Sequence, residues 1–482
     1  MYVELHACSA FSFLRGASFP EQLAETAAGL EMPAMALLDR NGVYGAQRFS
    51  VAAREQKIRP IVGSELSMED GSILPVLVKS RTGYKNLCEL LTQAHLRSEK
   101  GQCAVQWDEL TQYAEGLIAL FGSHSDLGSA RASRAVFGAH AGKSSRLERL
   151  ADVRYAFGEA PNAAREGACA PQSSTDRAQL LIDVFGRDNV VVEIQRHFVR
   201  GEDRINRQLF DLAEHYRLPI VATNGVQHAR PPGRQALDVF TCIREHTHLD
   251  AAGKLLSRNA ERHLKSNAEM RALFHDRLDA IENTGRLADR LEFSLENIGY
   301  EFPAFPVPAG HDMNSFLRTI TLFGAQQRYS SISTAVKQKL EEELGLIQRL
   351  GFSGYFLIVW DIVNFCRENN IMVQGRGSAA NSAVCFCLGI TPVDPVSNHL
   401  VFERFLSESR KGWPDIDLDL PSGDRRESVI QEIYRRYGKH GAAMTANVIS
   451  YRGRSAAREI ERPPAFATKF KRILHHRHHA QA

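Results

Sequence analysis

The chain has 482 residues, a formal net charge of +3 and 44% hydrophobic residues. This length exceeds that of one ordinary domain, so we expect two or three domains with sizeable cores. The small net charge does not indicate a nucleic-acid partner, and any DNA contact must depend on local basic patches. The eight cysteines lack CxxC spacing, no apolar run reaches about 18 residues, and no secretory signal opens the chain. These features exclude a disulfide framework, a zinc ribbon and a membrane protein, and favour a cytoplasmic location.

The N-terminal part alternates short apolar runs with helical stretches. The apolar runs Ala34–Leu38, Ile61–Val62 and Val191–Ile194 predict strands, and Phe19–Leu30 and Arg204–His215 predict helices. Repeated βα units of this kind are typical of an α/β fold, here with the strands wound into a barrel.

Composition indicates where the domains end. We predict a first domain over residues 1–300 with a disordered insertion at 124–178, which is rich in Ala, Ser, Gly and Arg. Clustered prolines indicate an extended linker at 301–315. A second domain then covers 316–460, and the basic, His-rich residues 461–482 form a solvated tail.

The second domain opens with an amphipathic pattern. Apolar residues at helical spacing predict a helix over Ser333–Leu350. The charged run Glu341, Glu342 and Glu343 is predicted to be its solvated face.

A glycine-rich segment follows at Gly375–Ala379. If Ser378 opens a helix through Ala379–Leu388, free amide groups and the positive end of the helix dipole face a phosphate. Arg376 either neutralises phosphate charge or is a surface arginine on a tight loop.

An acidic pattern lies about forty residues further on. In a strand, Asp415, Asp417 and Asp419 share one face while the apolar residues between them face a core. Such carboxylates suit two Mg²⁺ ions about 3.5–4 Å apart, which hold the attacking and leaving oxygens of a phosphoryl transfer. The alternative is a solvated acidic edge strand.

Together these residues resemble a known family, the bacterial C-family DNA polymerases, which comprise the alpha subunits of DNA polymerase III and their error-prone relatives. The resemblance rests on Gly354–Trp360, Gln374–Ala380, Asp394–Pro395, Phe402–Leu406 and Pro414–Asp419. Two further segments, Tyr451–Glu459 and Glu193–Phe198, are more similar to the error-prone, damage-induced branch.

The resemblance implies part of a palm of the polymerase-beta nucleotidyltransferase type. It assigns Gly377 and Ser378, with Arg376, to the incoming triphosphate, and Asp417 and Asp419 to two catalytic Mg²⁺ ions. An assignment shifted to Asp415 and Asp417 stays open.

The N-terminal part resembles the polymerase-and-histidinol-phosphatase (PHP) domain, a distorted seven-stranded barrel that binds up to three metals at the carboxyl ends of its strands. The similar segments are Val3–Ser9, Leu37–Asn41, Gly63–Glu65 and Val221–Gln227. Several positions depart from the metal-binding pattern, namely Cys8, Arg40, Gly225 and Gln227.

Some PHP ligand positions nevertheless keep suitable side chains. These are His6, Asp39, Glu65 and His197, with His124 or His228 as further candidates. A cationic Arg40 would repel a metal and pair with Glu65 or Asp39. We therefore predict a structural base for the palm, with the remnant ligands hydrogen-bonded to one another.

The resemblance implies an error-prone DNA-directed DNA polymerase that acts in damage-induced mutagenesis and translesion synthesis. The implied partners are a primed DNA template, deoxynucleoside triphosphates, the sliding clamp and mutasome accessory proteins. The polymerase pattern stops near Ile460, so a truncated form unable to extend a primer is expected. The alternatives are a metal-dependent phosphoesterase of the first domain and a non-catalytic remnant.

Overall fold

A computed structural model describes residues 1–99, 101–122, 174–298, 304–407, 414–445, 447–448 and 452–454. The chain forms two compact units, one containing Met1–Ile298 and the other Gly299–Ser450.

The first unit is built on one mixed sheet. Its strands, in both chain and spatial order, are β1 (Ala34–Arg40), β2 (Arg59–Ser67), β3 (Ile73–Val78), β4 (Leu117–Phe121), β5 (Val190–Ile194) and β6 (Ile220–Ala222). β3 is antiparallel to both neighbours, and the other pairs are parallel.

The N-terminal segment lies beside both the first strand and the chain that follows the last one. Ala36 N donates to Glu4 O at 2.8 Å, and Val226 N donates to His6 O at 2.8 Å. The sheet therefore curls, as the predicted α/β barrel requires.

Helices cover this sheet. They are α1 (Pro20–Gly29), α2 (Ala46–Glu55), α3 (Arg81–Arg97), α4 (Leu110–Tyr113), α5 (Ser174–Phe185), α6 (Glu202–Tyr216), α7 (Arg234–Arg244), α8 (Leu249–Ala252), α9 (Asn267–Leu273) and α10 (Leu278–Asp289). Alternate residues of a strand point to opposite faces, so Met35 and Leu37 join one apolar cluster while Ala36 and Leu38 join another. A strand buried on both faces reads as a continuous apolar run, which is why β1 was predictable.

The end of the predicted insertion is corrected. Residues 174–178 belong to α5, where Ala178 and Leu181 are fully buried. Burial of this apolar face stabilises the helix despite the polar start of the segment. The rest of the predicted insertion, 124–173, lies outside the described residues, as does the predicted tail.

The second unit is mainly helical. Its helices are α11 (Met313–Arg328), α12 (Thr334–Arg349), α13 (Ser353–Glu368), α14 (Ala383–Cys387) and α15 (Asp424–Gly441), and its strands are β7 (Gln374–Arg376) and β8 (Asp417–Asp419). The linker predicted to reach residue 315 ends earlier, because Asp312 caps α11 by accepting from Ser315 N at 2.7 Å.

The predicted acidic face of α12 is wrong at one position. Glu341 and Glu342 are exposed, but Glu343 is fully buried. Helical geometry places Glu343 on the same side as Leu340 and Ile347, which pack in the core of this unit. Consecutive residues on a helix point about 100° apart, so three adjacent glutamates do not all face the same way. The sequence alone does not show which of them is buried.

Among the described residues, no single helix has the length and apolar character to cross a membrane; only α12 and α13 taken together, bent by 114°, match by length and composition. The cysteines in the described residues are free thiols, and Cys385 and Cys387 are buried.

Candidate functional site

The glycine-rich segment and the acidic strand are hydrogen-bonded neighbours. β7 pairs antiparallel with β8, and Arg376 lies opposite Asp417 while Gln374 lies opposite Asp419. Directly opposite residues share a face of the sheet. Two motifs about forty residues apart in sequence are therefore joined in one small sheet.

The side chains of β8 alternate as the sequence predicts. Asp417 and Asp419 are exposed, whereas Leu418 is half-buried and packs against the core, as does Ile416 just before the strand. Asp415 is exposed but precedes β8. The strand is thus shorter than predicted.

Arg376 lies over both acidic side chains. Its Nε is 3.3 Å from Asp419 Oδ1 and 3.8 Å from Asp417 Oδ2. All three side chains are more than half exposed, so solvent screens these ion pairs and a competing ligand can displace them.

The loop after β7 comes close to the same carboxylate. Gly377 has φ +68°, in the left-handed region that favours glycine, and a Cβ atom built on it would lie 3.9 Å from Asp417 Oδ2. Ser378 follows and is half-buried. The structure therefore brings Arg376 and Gly377 beside Asp417, and Ser378 is the next residue of the same loop.

The prediction that a helix begins at Ser378 is wrong. Gly377–Asn381 forms a 3-10 turn, and the α-helix begins only at Ala383 with Ser382 as its cap. The Ser382 hydroxyl accepts from Cys385 N at 3.1 Å, so the side chain stops the helix from extending further toward Ser378. The first amides of α14 are bound by Glu343 and are not free for a phosphate.

The β8 carboxylates fit a magnesium site. Mg²⁺ is commonly held by one or two carboxylates, with waters and substrate phosphates as its other ligands. Asp417 and Asp419 offer two accessible carboxylates on one face, beside a loop at which the backbone can approach a ligand closely.

The predicted ligand positions of the PHP-like unit, unlike the exposed carboxylates of β8, are buried and bound to other side chains. His6 lies between two buried carboxylates, with Nδ1 2.7 Å from Glu193 Oε1 and Nε2 2.8 Å from Glu65 Oε1. Burial alone would lower the pKa of His6, but the two carboxylates outweigh it and raise the pKa to about 10. Both ring nitrogens of His6 are thus engaged by carboxylates within the fold.

The other remnants are also engaged. As predicted, Arg40 pairs with Glu65, at 2.6 Å from Nε to Oε2. Asp39 accepts from the hydroxyls of Ser9 and Ser12 at 2.9 and 2.7 Å.

The histidines beyond β5 do not complete a ligand set. His197 uses both ring nitrogens, on Glu202 at 3.1 Å and on the Asn224 carbonyl at 2.9 Å. His228 Nδ1 donates to the Arg230 carbonyl at 3.0 Å, and burial lowers the pKa of His228 to about 4. His124 lies outside the described residues.

Two residues of this cluster were not predicted from the sequence. Glu193 is the main partner of His6, and its signal is a single charge inside the apolar run of β5. Arg262 Nη1 would lie 2.7 Å from a Cβ atom at Gly225, so a guanidinium fills the space beside this glycine. No group of three or more His, Cys, Asp or Glu in the described part of the chain could hold a metal. The residues present do not fit the metal site of the PHP family.

Comparison with known families gives two matches, and the second continues past Ile460, where the polymerase pattern was expected to stop. Residues 4–197 match the PHP domain, and residues 315–481 match the bacterial DNA polymerase III alpha NTPase domain. The chain therefore contains a PHP domain and a region of the bacterial DNA polymerase III alpha family.

Relatives of the chain include error-prone DNA polymerases. The chain is 42% identical over 474 residues to the error-prone DNA polymerase of Mycolicibacterium paratuberculosis, covering 96% of this chain and 40% of the relative. It is 38% identical over 461 residues to that of Pseudomonas paraeruginosa, covering 95% of this chain and 40% of the relative. The chain thus spans about 40% of the length of these relatives.

A solved structure from Bifidobacterium adolescentis, provisionally described as a metal-dependent phosphoesterase, matches 46% of this chain and 86% of its own. The match has 13% sequence identity and a TM-score of 0.30.

Proposed function

We propose that this chain carries part of the nucleotide and metal site of an error-prone DNA polymerase. Asp417 and Asp419 bind Mg²⁺, and Arg376, Gly377 and Ser378 bind the triphosphate of an incoming deoxynucleotide. The observation that carries the proposal is the β7–β8 pair, in which Arg376, the residue before the loop, lies on the same exposed face as both carboxylates.

Each residue has a physical role in this proposal. Bound Mg²⁺ supplies charge neutralisation at the phosphates. Asp417 and Asp419 hold it with carboxylate oxygens. Arg376 exchanges these carboxylates for phosphate oxygens, to which a guanidinium can donate two parallel hydrogen bonds. Gly377 allows the backbone to approach the phosphates, because it has no Cβ atom.

The longer relatives are named as error-prone DNA polymerases. We therefore propose nucleotidyl transfer to a primer 3′-hydroxyl with release of pyrophosphate, in translesion synthesis and damage-induced mutagenesis in the cytoplasm. Primed DNA, the sliding clamp and mutasome accessory proteins are the proposed partners.

The PHP-like unit is proposed as a structural base. His6 and Arg40 already neutralise Glu65 and Glu193 from within. A metal-dependent phosphoesterase function is not favoured by this arrangement, because a metal would have to displace buried ion pairs.

The test is binding of a deoxynucleoside triphosphate to the 482-residue chain with and without Mg²⁺. Binding should require Mg²⁺ and should be lost in Asp417→Ala/Asp419→Ala, while Asp415→Ala should bind like the wild type. Equal binding by the double variant would refute the proposal, and loss in Asp415→Ala would move the metal site toward the 415/417 pair.

Primer extension on a primed template is the second measurement. Extension that disappears in the double variant would establish polymerase activity in this chain itself.

A further inference from the structure

A buried carboxylate binds the residues that follow the glycine-rich loop. Glu343 of α12 accepts from the Ser382 hydroxyl at 2.8 Å and from the amides of Ala383 and Val384 at 3.0 Å each. Its side chain is fully buried. One side chain thus holds three consecutive residues of a segment that lies about forty residues away in sequence.

This segment continues directly from the loop. Ser382 N donates to Ala379 O at 3.1 Å, which ties the held residues to the 3-10 turn Gly377–Asn381. At the other end, Gly375 N donates to Ile390 O at 2.7 Å, so β7 is tied to the chain just after α14. The loop is therefore held at its N-terminal end by the β7–β8 pairing and at its C-terminal end by Ser382, which Glu343 binds.

Stability alone does not account for a carboxylate at this position. Leu340, Leu344 and Val384 form the surrounding apolar cluster, and Ser382 already provides an N-cap for α14. Burying a carboxylate is costly, and replacing buried charged groups by apolar ones of similar volume is often neutral or stabilising. What the carboxylate adds is one defined position for two backbone amides and a hydroxyl.

We propose that Glu343 is a positioning residue of the nucleotide site: by holding Ser382–Val384 it fixes Gly377 and Ser378 relative to Asp417. It contacts no nucleotide or metal itself. This inference rests on the proposed function, because the loop it positions is the loop proposed to bind the triphosphate.

Glu343→Gln is the sharpest variant. It preserves volume, but its amide NH₂ must face at least one of the two backbone N–H groups, which then loses its acceptor. Hydrogen exchange should become faster in residues 377–388 than elsewhere in the second unit, and Mg²⁺-dependent dATP binding should weaken roughly tenfold, the effect of leaving one buried donor without its acceptor.

Two further variants control this experiment. Glu342→Gln changes an exposed glutamate on the same helix and should leave both readouts unchanged. Ser382→Ala removes one of the Glu343 contacts from the other side and should act in the same direction. The effects of Ser382→Ala and Glu343→Gln should not add, because they share an interaction.

The outcomes separate this inference from the proposed function. If wild-type chain binds Mg²⁺ and dATP and Glu343→Gln binds them equally well, the inference alone is refuted. Faster exchange spread evenly over the second unit would also refute it, since that indicates general destabilisation. If the wild type binds no nucleotide, the proposed function fails, and exchange in 377–388 still decides whether Glu343 fixes the loop.

Discussion

Both units carry acidic side chains at strands, but they neutralise them in opposite ways. In the first unit Glu65 and Glu193 are buried with His6, whose side chain is 2% exposed. In the second unit Asp417 and Asp419 are 56% and 61% exposed, and Arg376 is their cation. A buried carboxylate must be paired by the fold itself, whereas an exposed one remains available to a metal. Acidic residues of the same chemical type therefore give a structural cluster in one unit and a candidate ligand site in the other.

The largest effect is expected from His6→Ala. It leaves two buried carboxylates without their shared cation, which should cost about 3–5 kcal/mol in the free energy of unfolding. Urea denaturation of the first unit measures this change. His275→Ala, on an exposed histidine, should stay within about 0.5 kcal/mol. A His6→Ala cost no larger than this control would mean that the cluster is not internally neutralised.

The second prediction concerns pH. Burial raises the pKa of Glu343 from 4.5 to about 7, although its hydrogen bonds oppose this. The folded state then binds a proton that the unfolded state releases, so this stabilising contribution is complete below about pH 4.5 and is lost as pH rises to about 7. The change should be as much as about 3 kcal/mol.

Burial raises the pKa of the neighbouring groups Tyr329, Cys385 and Cys387 above their usual values, which places them outside this range. The difference between wild type and Glu343→Gln in urea stability, measured from pH 4.5 to 7, isolates Glu343. A pH-independent difference would contradict the assignment.

A smaller effect is expected from Arg376→Ala. Because Arg376 competes with cations for Asp417 and Asp419, its removal should tighten binding of Mg²⁺ alone by up to about fivefold, as for other exposed ion pairs. The same variant should weaken binding of Mg²⁺ with dATP. Isothermal titration of each ligand measures both. If removal of Arg376 weakens Mg²⁺ binding as well, the arginine is not a competitor for the carboxylates.

The smallest effect is expected from metal removal in the first unit. Since its acidic side chains are paired from within, EDTA should leave the unfolding midpoint of this unit unchanged, and added Mn²⁺ should not raise it in the Asp417→Ala/Asp419→Ala background. A chain purified without chelators is the matched sample. A lower midpoint after EDTA treatment would indicate a metal in the PHP-like unit.

Local patterns predicted much of the fold. β1, α1, α6 and α12 lie where apolar periodicity placed them, and exposed Asp417 and Asp419 alternate with Leu418 as expected. The errors occur where side chains from distant segments interact. Ser378 does not begin a helix, because Ser382 caps α14 and Glu343 binds its first amides. Glu343 itself looks like a surface residue within a run of three glutamates.

The sequence by itself determined the α/β class, the family resemblance and the residue types of both acidic regions, since these follow from periodicity and from motifs that are local in the chain. Only the tertiary structure decided which of these carboxylates are neutralised. That outcome depends on burial and on partners from distant segments, such as Glu193 beside His6 and Arg376 beside Asp419. The cost of burying a charge is set by its surroundings in three dimensions, and no local pattern contains that information.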